Sequence, residues 1–416
     1  METTIPNPIN AGDTAWVLVS SALVLLMTAP GLALFYGGMV RRKNILGVFM
    51  QCFITLALVS VLWVVVGYSL AFGKGNAFIG GLDWFMLKGV GQDANADYAA
   101  TIPHLAFMIF QGMFAVITPA LIIGAFAERV KFSSFLVFTT LWLLFVYAPV
   151  CHMVWGVGGL IRGWGALDFA GGTVVHINAG IAGLVTALYL GKRLGNAEKP
   201  GMHNLPFVVI GASLLWFGWF GFNAGSALGA NGLAAQAFVT TNTATAAAAL
   251  SWAILEWIIA GKPTMLGAAS GAVAGLVAIT PAAGFVDIGG ALWIGLLVSV
   301  FCYFMVAVVK TKLGYDDTLD AFGVHGIGGL WGALATGLFC TKAVNSAGAD
   351  GLFLGNAGQV WIQFLACAST MAYTAVVTLV ICFVVDKVMG LRVSQEDEVM
   401  GLDLTQHHER AYTILD

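Results

Sequence analysis

Charge is what this chain of 416 residues has least of: Asp, Glu, Lys and Arg together make up 9% of it. An average soluble protein carries roughly 25%. The 18 basic and 21 acidic side chains cannot cover the surface of a soluble globule of this length. A net charge of −3 is also too small to attract nucleic acid. Cysteine is sparse. Cys52, Cys151, Cys302, Cys340, Cys367 and Cys382 form no C-x-x-C pair and no Cys/His ligand spacing, which argues against a disulfide scaffold or a metal site. Nearly all of them lie in or at the ends of apolar runs, where cysteine behaves as a small hydrophobe. The 53 glycines follow no period, so collagen is excluded. The first twelve residues contain no Lys or Arg, and the apolar run behind them is too long for a signal-peptide core.

Apolar residues fill the space that charge leaves. They amount to 59% of the chain, the mean hydropathy is +0.89, and runs of about 20 apolar residues recur along the sequence. The fold class is therefore an all-α polytopic membrane protein. Runs bounded by Gly, Pro, polar clusters or charge predict eleven helices, near 13–38, 45–72, 103–126, 133–151, 170–190, 205–226, 234–260, 265–282, 288–310, 322–341 and 358–386. An odd number puts the termini on opposite sides, and basic residues prefer the cytoplasmic side. With the N-terminus outside, fourteen of the 18 Lys and Arg fall on cytoplasmic segments, and only Lys74, Lys88, Arg162 and Lys342 fall outside. Glycine inside the runs reads mostly as helix packing. Pro30, Pro119 and Pro281 lie within runs and are expected to mark kinks.

Ionisable residues inside a bilayer are costly, so each needs a reason. His104 and His152 lie near span ends, His203 in a loop, and His407 and His408 in the tail. His176 and His325 do not. Each follows an aspartate, Asp168 or Asp317, by eight residues, in the fifth and tenth spans, which enter from opposite sides. Eight helical residues cover about 12 Å, which brings both imidazoles towards the middle of a hydrocarbon layer about 30 Å thick. Either one alone could be a core residue bonded to a carbonyl. Two so disposed suggest inverted five-helix repeats, with the eleventh span outside them and a shared pore at the midplane. Glu256 near the end of span seven reads as a cap or interfacial residue, and Asp168 as a helix-start residue holding the outer mouth.

Aromatic residues make up 12% of the chain, and most must serve as core or interfacial belt. Phe110 and Phe114 are four apart on one helix face. Trp155 follows span four, and Trp219, Phe222 and Ser226 recur at helical spacing near the outer end of span six. A cation arriving from outside could meet the faces of Trp155 and Phe114 and the Ser226 hydroxyl. On spacing alone, ordinary packing is the favoured reading.

At these residues the sequence resembles the ammonium transporter family, the Amt/Mep/Rh group, and its bacterial Amt branch in particular. The strings that carry the resemblance include PGLALFYGG, RRKN, FQGMFA, AERV, HMVWG, GALDFAGGTVVHINAGIAGL, WFGFNAGSA, AITPAAG, DDTLDAFGVHG and the tail GLDLTQHHERAY. They run from the first span to the last residues. The loop 73–102 and the segment between Trp155 and Asp168 carry sequence of their own. The resemblance implies a homotrimer with one pore per protomer in the cytoplasmic membrane, and ammonium or ammonia as substrate. It implies an outer recruitment site of Trp155, Phe114 and Ser226 with Phe110 beside it, and a gate of Phe114 on Phe222. It further implies that His176 and His325 pair in the pore through a hydrogen bond, with Trp219 and Thr280 near its wall and Asp168 near the vestibule.

The resemblance also implies a membrane domain over 1–388 and a regulatory cytoplasmic tail over 389–416. The tail's acids Glu396, Asp397, Glu398, Asp403 and Glu409 would dock beneath the bundle, and a trimeric PII signalling protein would be the partner there. The alternative is an ammonium sensor on the same fold, against which stands the lack of an output domain after span eleven. A water channel lacks its paired N-P-A motifs, no nucleophile–base set supports an enzyme, and no cofactor is implied.

Overall fold

The computed structural model describes residues 8–195 and 202–412; Lys199, one of the basic residues assigned to the cytoplasmic side, and the last four residues of the tail lie outside them. Among the described residues, ten helices are long and apolar enough to cross a membrane. They are α1 (Ala11–Met39), α2 (Arg42–Phe72), α3 (His104–Phe126), α4 (Phe132–Gly163), α5 (Gly172–Leu190), α6 (Leu205–Gly225), α7 (Gly232–Ala260), α9 (Ile288–Leu313), α10 (Phe322–Phe339) and α11 (Ala357–Met389). The eighth apolar run forms a shorter helix, α8 (Met265–Ile279). All six cysteines are free and buried.

The three prolines behave differently from one another. Pro30 does accompany a break: Ala29 leaves helical geometry at φ −142°, ψ 114°. Pro119 lies inside α3, which continues as one helix from His104 to Phe126. Pro281 is not in a helix at all. It sits in the turn that ends α8, where its carbonyl accepts from Phe169 N. That turn is why the eighth run is shorter than its apolar stretch. Trp155, expected beyond the fourth span, is the last residue of that span's main helical stretch.

The two histidine-bearing helices are built alike. Each opens with a π-helical turn, Gly172–Ile177 or Phe322–Gly326, and continues as a 13-residue α-helix. Each start is capped by the aspartate eight residues before the histidine. Asp168 accepts from the backbone N–H of Gly171 (2.8 Å), Gly172 (2.6 Å) and Thr173 (2.8 Å) and from the Thr173 hydroxyl. Asp317 accepts from Ala321 N (3.0 Å) and Phe322 N (2.8 Å). These carboxylates occupy the orphan donors of a helix start and lie at the positive end of its dipole.

Close approach of α5 and α10 depends on a glycine four residues after each histidine. A Cβ on Gly180 would lie 2.2 Å from Gly326 N and 3.1 Å from His325 C. A Cβ on Gly329 would lie 2.9 Å from the His176 Cβ and 3.1 Å from Ile177 N. Each helix thus presses its bare backbone against the other's histidine segment, and this contact sets the separation of the two imidazoles.

One end of the bundle carries the C-terminal tail. Its short helices α12 (Gln395–Met400) and α13 (Leu402–His407) follow Met389. Two of the five acidic residues expected to dock are buried, Glu398 and Asp403. Glu398 accepts from Leu194 N (2.6 Å) and from Arg392 (2.9 Å), while Asp403 accepts from Gly47 N (2.8 Å). Asn44 takes Leu402 N at 2.8 Å. The acids themselves therefore dock largely on backbone N–H groups, the loop cation Lys43 donates instead to the carbonyls of Glu398 and Val399, and Glu396 and Glu409 remain exposed.

Beneath the tail lies a buried ion network. Glu128 accepts from Arg41 and Arg193, Asp316 from Arg193, and the wholly buried Arg129 donates to Asp316 O and the Thr318 hydroxyl. Burial would raise both carboxylates, but Arg193 and Arg41 hold Glu128 below the ordinary range, and Arg193 and Arg129 do the same for Asp316. Asn10, at the start of α1, donates to Thr101 O at the opposite end of the bundle, far from the tail.

The crossing of α5 and α10 yields a direct test. Gly180→Ala places a methyl against backbone that has no flexible end to yield, so it should destabilise the protein by about 1–3 kcal/mol. Gly232→Ala, at a helical position with open space around it, should cost nothing and serves as the control. Thermal unfolding in detergent reads both; equal midpoints would show that the two helices are not held at contact.

Candidate functional site

The residues singled out by sequence assemble into one column of rings inside the bundle. At the end away from the tail is a cavity of about 220 Å³, whose lining includes Phe114, Trp155, Ser226 and Asp168. At the tail end a cavity of about 420 Å³ has His325 in its lining. Rings in contact connect the two linings. Phe114 lies 4.5 Å from Phe222 between centroids, Phe222 lies 6.0 Å from His176, and His176 lies 5.5 Å from His325.

Trp155 forms one wall of the first cavity, edge-on to Phe114 at 5.8 Å. Its indole N–H is committed to Asp168 O at 2.9 Å, so what it offers a ligand is its ring. Ser226 is held by donating to Phe222 O at 2.9 Å, which leaves its oxygen lone pairs free to accept. Phe110 does not line this cavity. It is completely buried and packs edge-on behind Phe114 at 5.0 Å. Asp168 lines the cavity, yet its oxygens are engaged by the start of α5, as expected of a helix-start residue.

Gln111, Asp97, Tyr98 and Arg162 also line this cavity and were not singled out from sequence. Gln111 had a readable signal, a polar side chain one helical turn before Phe114 in an otherwise apolar run. Its Oε1 is buried and has no protein partner. Asp97, Tyr98 and Arg162 come from the two segments with sequence of their own, where no pattern marks them.

Below the Phe114–Phe222 pair the column changes chemistry. His176 lies nearly parallel to Trp219, with centroids 5.3 Å apart and planes 18° apart. The Trp219 N–H donates to the Thr280 hydroxyl at 2.9 Å, and Thr280 donates in turn to Leu276 O. Trp219 therefore presents an apolar face to the imidazole, and Thr280 acts through Trp219. Both ring nitrogens of His176 and Nδ1 of His325 are buried without a protein partner.

The hydrogen bond implied between the two imidazoles is not formed from His176 here. The glycine-limited crossing sets the rings 5.5 Å apart, with planes 16° apart. Buried polar atoms without partners are uncommon and call for a reason. A small molecule able both to donate and to accept would supply one.

At the tail end, Asp317 is engaged by the start of α10, and burial together with the nearby Asp320 raises its carboxyl to about 6. Lys310 pairs with Asp320 at 2.6 Å, and both line the larger cavity with Lys192 and Arg193. Glu256, read as a cap, accepts from Thr264 N at 2.7 Å at the start of α8. Among the described residues no group of three or more His, Cys, Asp or Glu could hold a metal.

Comparison with known proteins gives the arrangement its context. The sequence profile described as Ammonium Transporter Family matches residues 15–412. The chain is 57% identical over 402 residues to the ammonium transporter of Bacillus subtilis (strain 168), covering 96% of this chain and 98% of that one. The crystal structure of Saccharomyces cerevisiae Mep2 superposes with a TM-score of 0.88 at 36% identity, covering 93% of this chain and 88% of that one. A structure described as a sensor Amt protein superposes with a TM-score of 0.86 at 28% identity, covering 95% of this chain and 98% of that one.

Proposed function

From the chain's membership of the ammonium transporter family, we propose that it takes ammonium at the Trp155 cavity and passes ammonia along the His176–His325 column. The single observation that carries this reading is the juxtaposition of a phenylalanine pair with two partnerless imidazoles between two cavities. A bare cation in the middle of a bilayer costs several kcal/mol, whereas neutral ammonia does not. Ammonium and potassium are nearly the same size, so diameter cannot separate them. Ammonium can donate four hydrogen bonds and can lose a proton; potassium can do neither.

The faces of Trp155 and Phe114 would hold the cation, and Ser226 would accept one of its hydrogens. Phe114 on Phe222 closes the column to hydrated ions. Below them each neutral imidazole carries one donor and one acceptor, and these suit ammonia. Phe110 supports Phe114 from behind, Trp219 and Thr280 shape the wall, and Asp168 holds the start of α5.

The chain is a multi-pass membrane protein. We place it in the cytoplasmic membrane with eleven crossings, counting α8, with the N-terminus outside and the tail inside. Orientation follows from the excess of basic residues at the tail end. A homotrimer with one column per protomer fits the family, as does a PII signalling protein docking at the tail end. A sensor role on the same fold is the competing reading and predicts binding without flux.

Purified protein in liposomes should carry ammonium and exclude potassium. A variant with both His176 and His325 replaced by Leu should lose flux or its selectivity while still assembling, because the polar partners of ammonia are gone from a site that water cannot readily fill. Retained wild-type flux with potassium still excluded would reduce the pair to core residues, and ammonium binding without flux would favour the sensor.

Trp155→Leu should weaken ammonium recruitment by about 1 kcal/mol, or roughly a fivefold higher half-saturating concentration. An unchanged concentration dependence would return Trp155 to a packing role. For the tail, PII protein with ADP should be retained by the full-length chain in a membrane pull-down and released by 2-oxoglutarate. Removing everything after Arg392 should abolish capture. No capture under any ligand condition would leave the tail without this partner.

A further inference from the structure

We propose that Gln363, on α11, is a positioning residue for the recruitment cavity, tying the last membrane helix to Trp155 through the backbone of residues 167 and 168. The last helix lies outside the repeat inferred from the histidine pair, and its sequence carries two glutamines in an apolar run without naming the site they serve. Its side chains show one. Gln363 and Gln359, one turn apart on α11, are both buried. Gln363 Oε1 accepts from Leu167 N at 2.7 Å, and its Nε2 donates to Leu167 O at 2.8 Å and to Ala333 O at 3.0 Å. Gln359 donates to Gly165 O at 3.1 Å and to Gln363 Oε1 at 3.3 Å. Every donor and acceptor site of the Gln363 amide is thereby used.

What the amide holds is the residue next to Asp168. Leu167 is gripped at both its N–H and its C=O, which fixes the peptide leading into Asp168. The Asp168 carbonyl then accepts the Trp155 indole N–H at 2.9 Å, and the Asp168 carboxylate caps the start of the His176 helix. The same Gln363 amide reaches Ala333 O on α10, the helix that carries His325. One side chain thus joins the last helix, the wall of the cavity and both histidine-bearing helices. An apolar replacement leaves the partly buried Leu167 N–H and C=O without these partners, and they are expected to move to find others. The Trp155 ring moves with them, because its N–H follows the Asp168 carbonyl.

This inference rests on the proposed recruitment role of Trp155, and a double-mutant cycle tests it in intact protein reconstituted in liposomes. Gln363→Met keeps the length and removes the hydrogen bonds. It should raise the half-saturating ammonium concentration roughly fivefold with the maximal rate nearly unchanged. In a Trp155→Phe background, which lacks the indole N–H, the same substitution should have little further effect. Gln363→Leu, which also removes the hydrogen bonds without burying a charge against the Leu167 and Ala333 carbonyls, carries the same cycle if the Met variant does not assemble.

Equal effects in the two backgrounds, or a fall in maximal rate with half-saturation unchanged, would overturn the assignment and make Gln363 a packing residue. If Trp155→Leu raises half-saturation but the Gln363 variants do not, this inference alone fails. If Trp155→Leu has no effect, the recruitment reading fails and this one with it.

Discussion

A polar group sealed away from water must find a partner within the protein, and in a membrane interior the penalty for failing is several kcal/mol per group. Most of the architecture around the two imidazoles follows from that requirement. Asp168 and Asp317 are tolerable because each is surrounded by the N–H groups of a helix start that would otherwise lack partners themselves. Trp219 hands its N–H to Thr280, and Thr280 hands its own hydrogen to a helix carbonyl. At the tail end, Glu128, Asp316 and three arginines neutralise one another in a network that no single carboxylate could sustain when buried. Against this background the open nitrogens of His176 and His325 stand out as buried hydrogen-bonding capacity that the protein leaves unused.

The same requirement explains why the column is narrow and aromatic rather than wide and wet. Water around the imidazoles would satisfy their nitrogens and would admit hydrated ions as well. Two glycines let α5 and α10 press backbone to backbone, and Phe114 on Phe222 covers the approach. The selectivity argued above therefore depends on packing as much as on the histidines. Widening the crossing would let solvent replace the protein's choice of ligand with water's.

Patterns that follow from local physics were readable in the sequence. Apolar runs located the helices to within a few residues at most ends, and the shared eight-residue spacing from aspartate to histidine located the paired helices. Asp168 reads as a helix-start residue and Glu256 as a cap or interfacial residue because such roles are local. What sequence missed depends on distant partners. The π-helical openings and the missing imidazole bond follow from how two helices cross. Phe110 and Phe114 share a helix face, yet one lines the cavity and the other supports it, because α6 brings Phe222 to Phe114 alone. Pro281 reads as a kink only if α8 is assumed to run on to it. The tail's acids looked alike as a charged run, but only Glu398 and Asp403 meet backbone donors.

The last helix makes the same point from the opposite direction. Glutamines in an apolar segment violate the composition of a membrane span, and within a helical turn they have only each other as partners. Their remaining partners are Ala333 on α10 and, nearly 200 residues away, the backbone of the segment before α5. The inverted repeat that the histidine spacing suggests would account for two histidine helices, but it would not fix the loop that carries Trp155's acceptor. That loop precedes a helix start whose carboxylate is already committed, so its backbone needs a separate hold. A helix outside the repeat is free to provide one, because no symmetry-related segment competes for its buried face. On this argument the last helix does more than close the side of the bundle: it supplies a constraint that two symmetric halves of the kind the sequence suggests would lack.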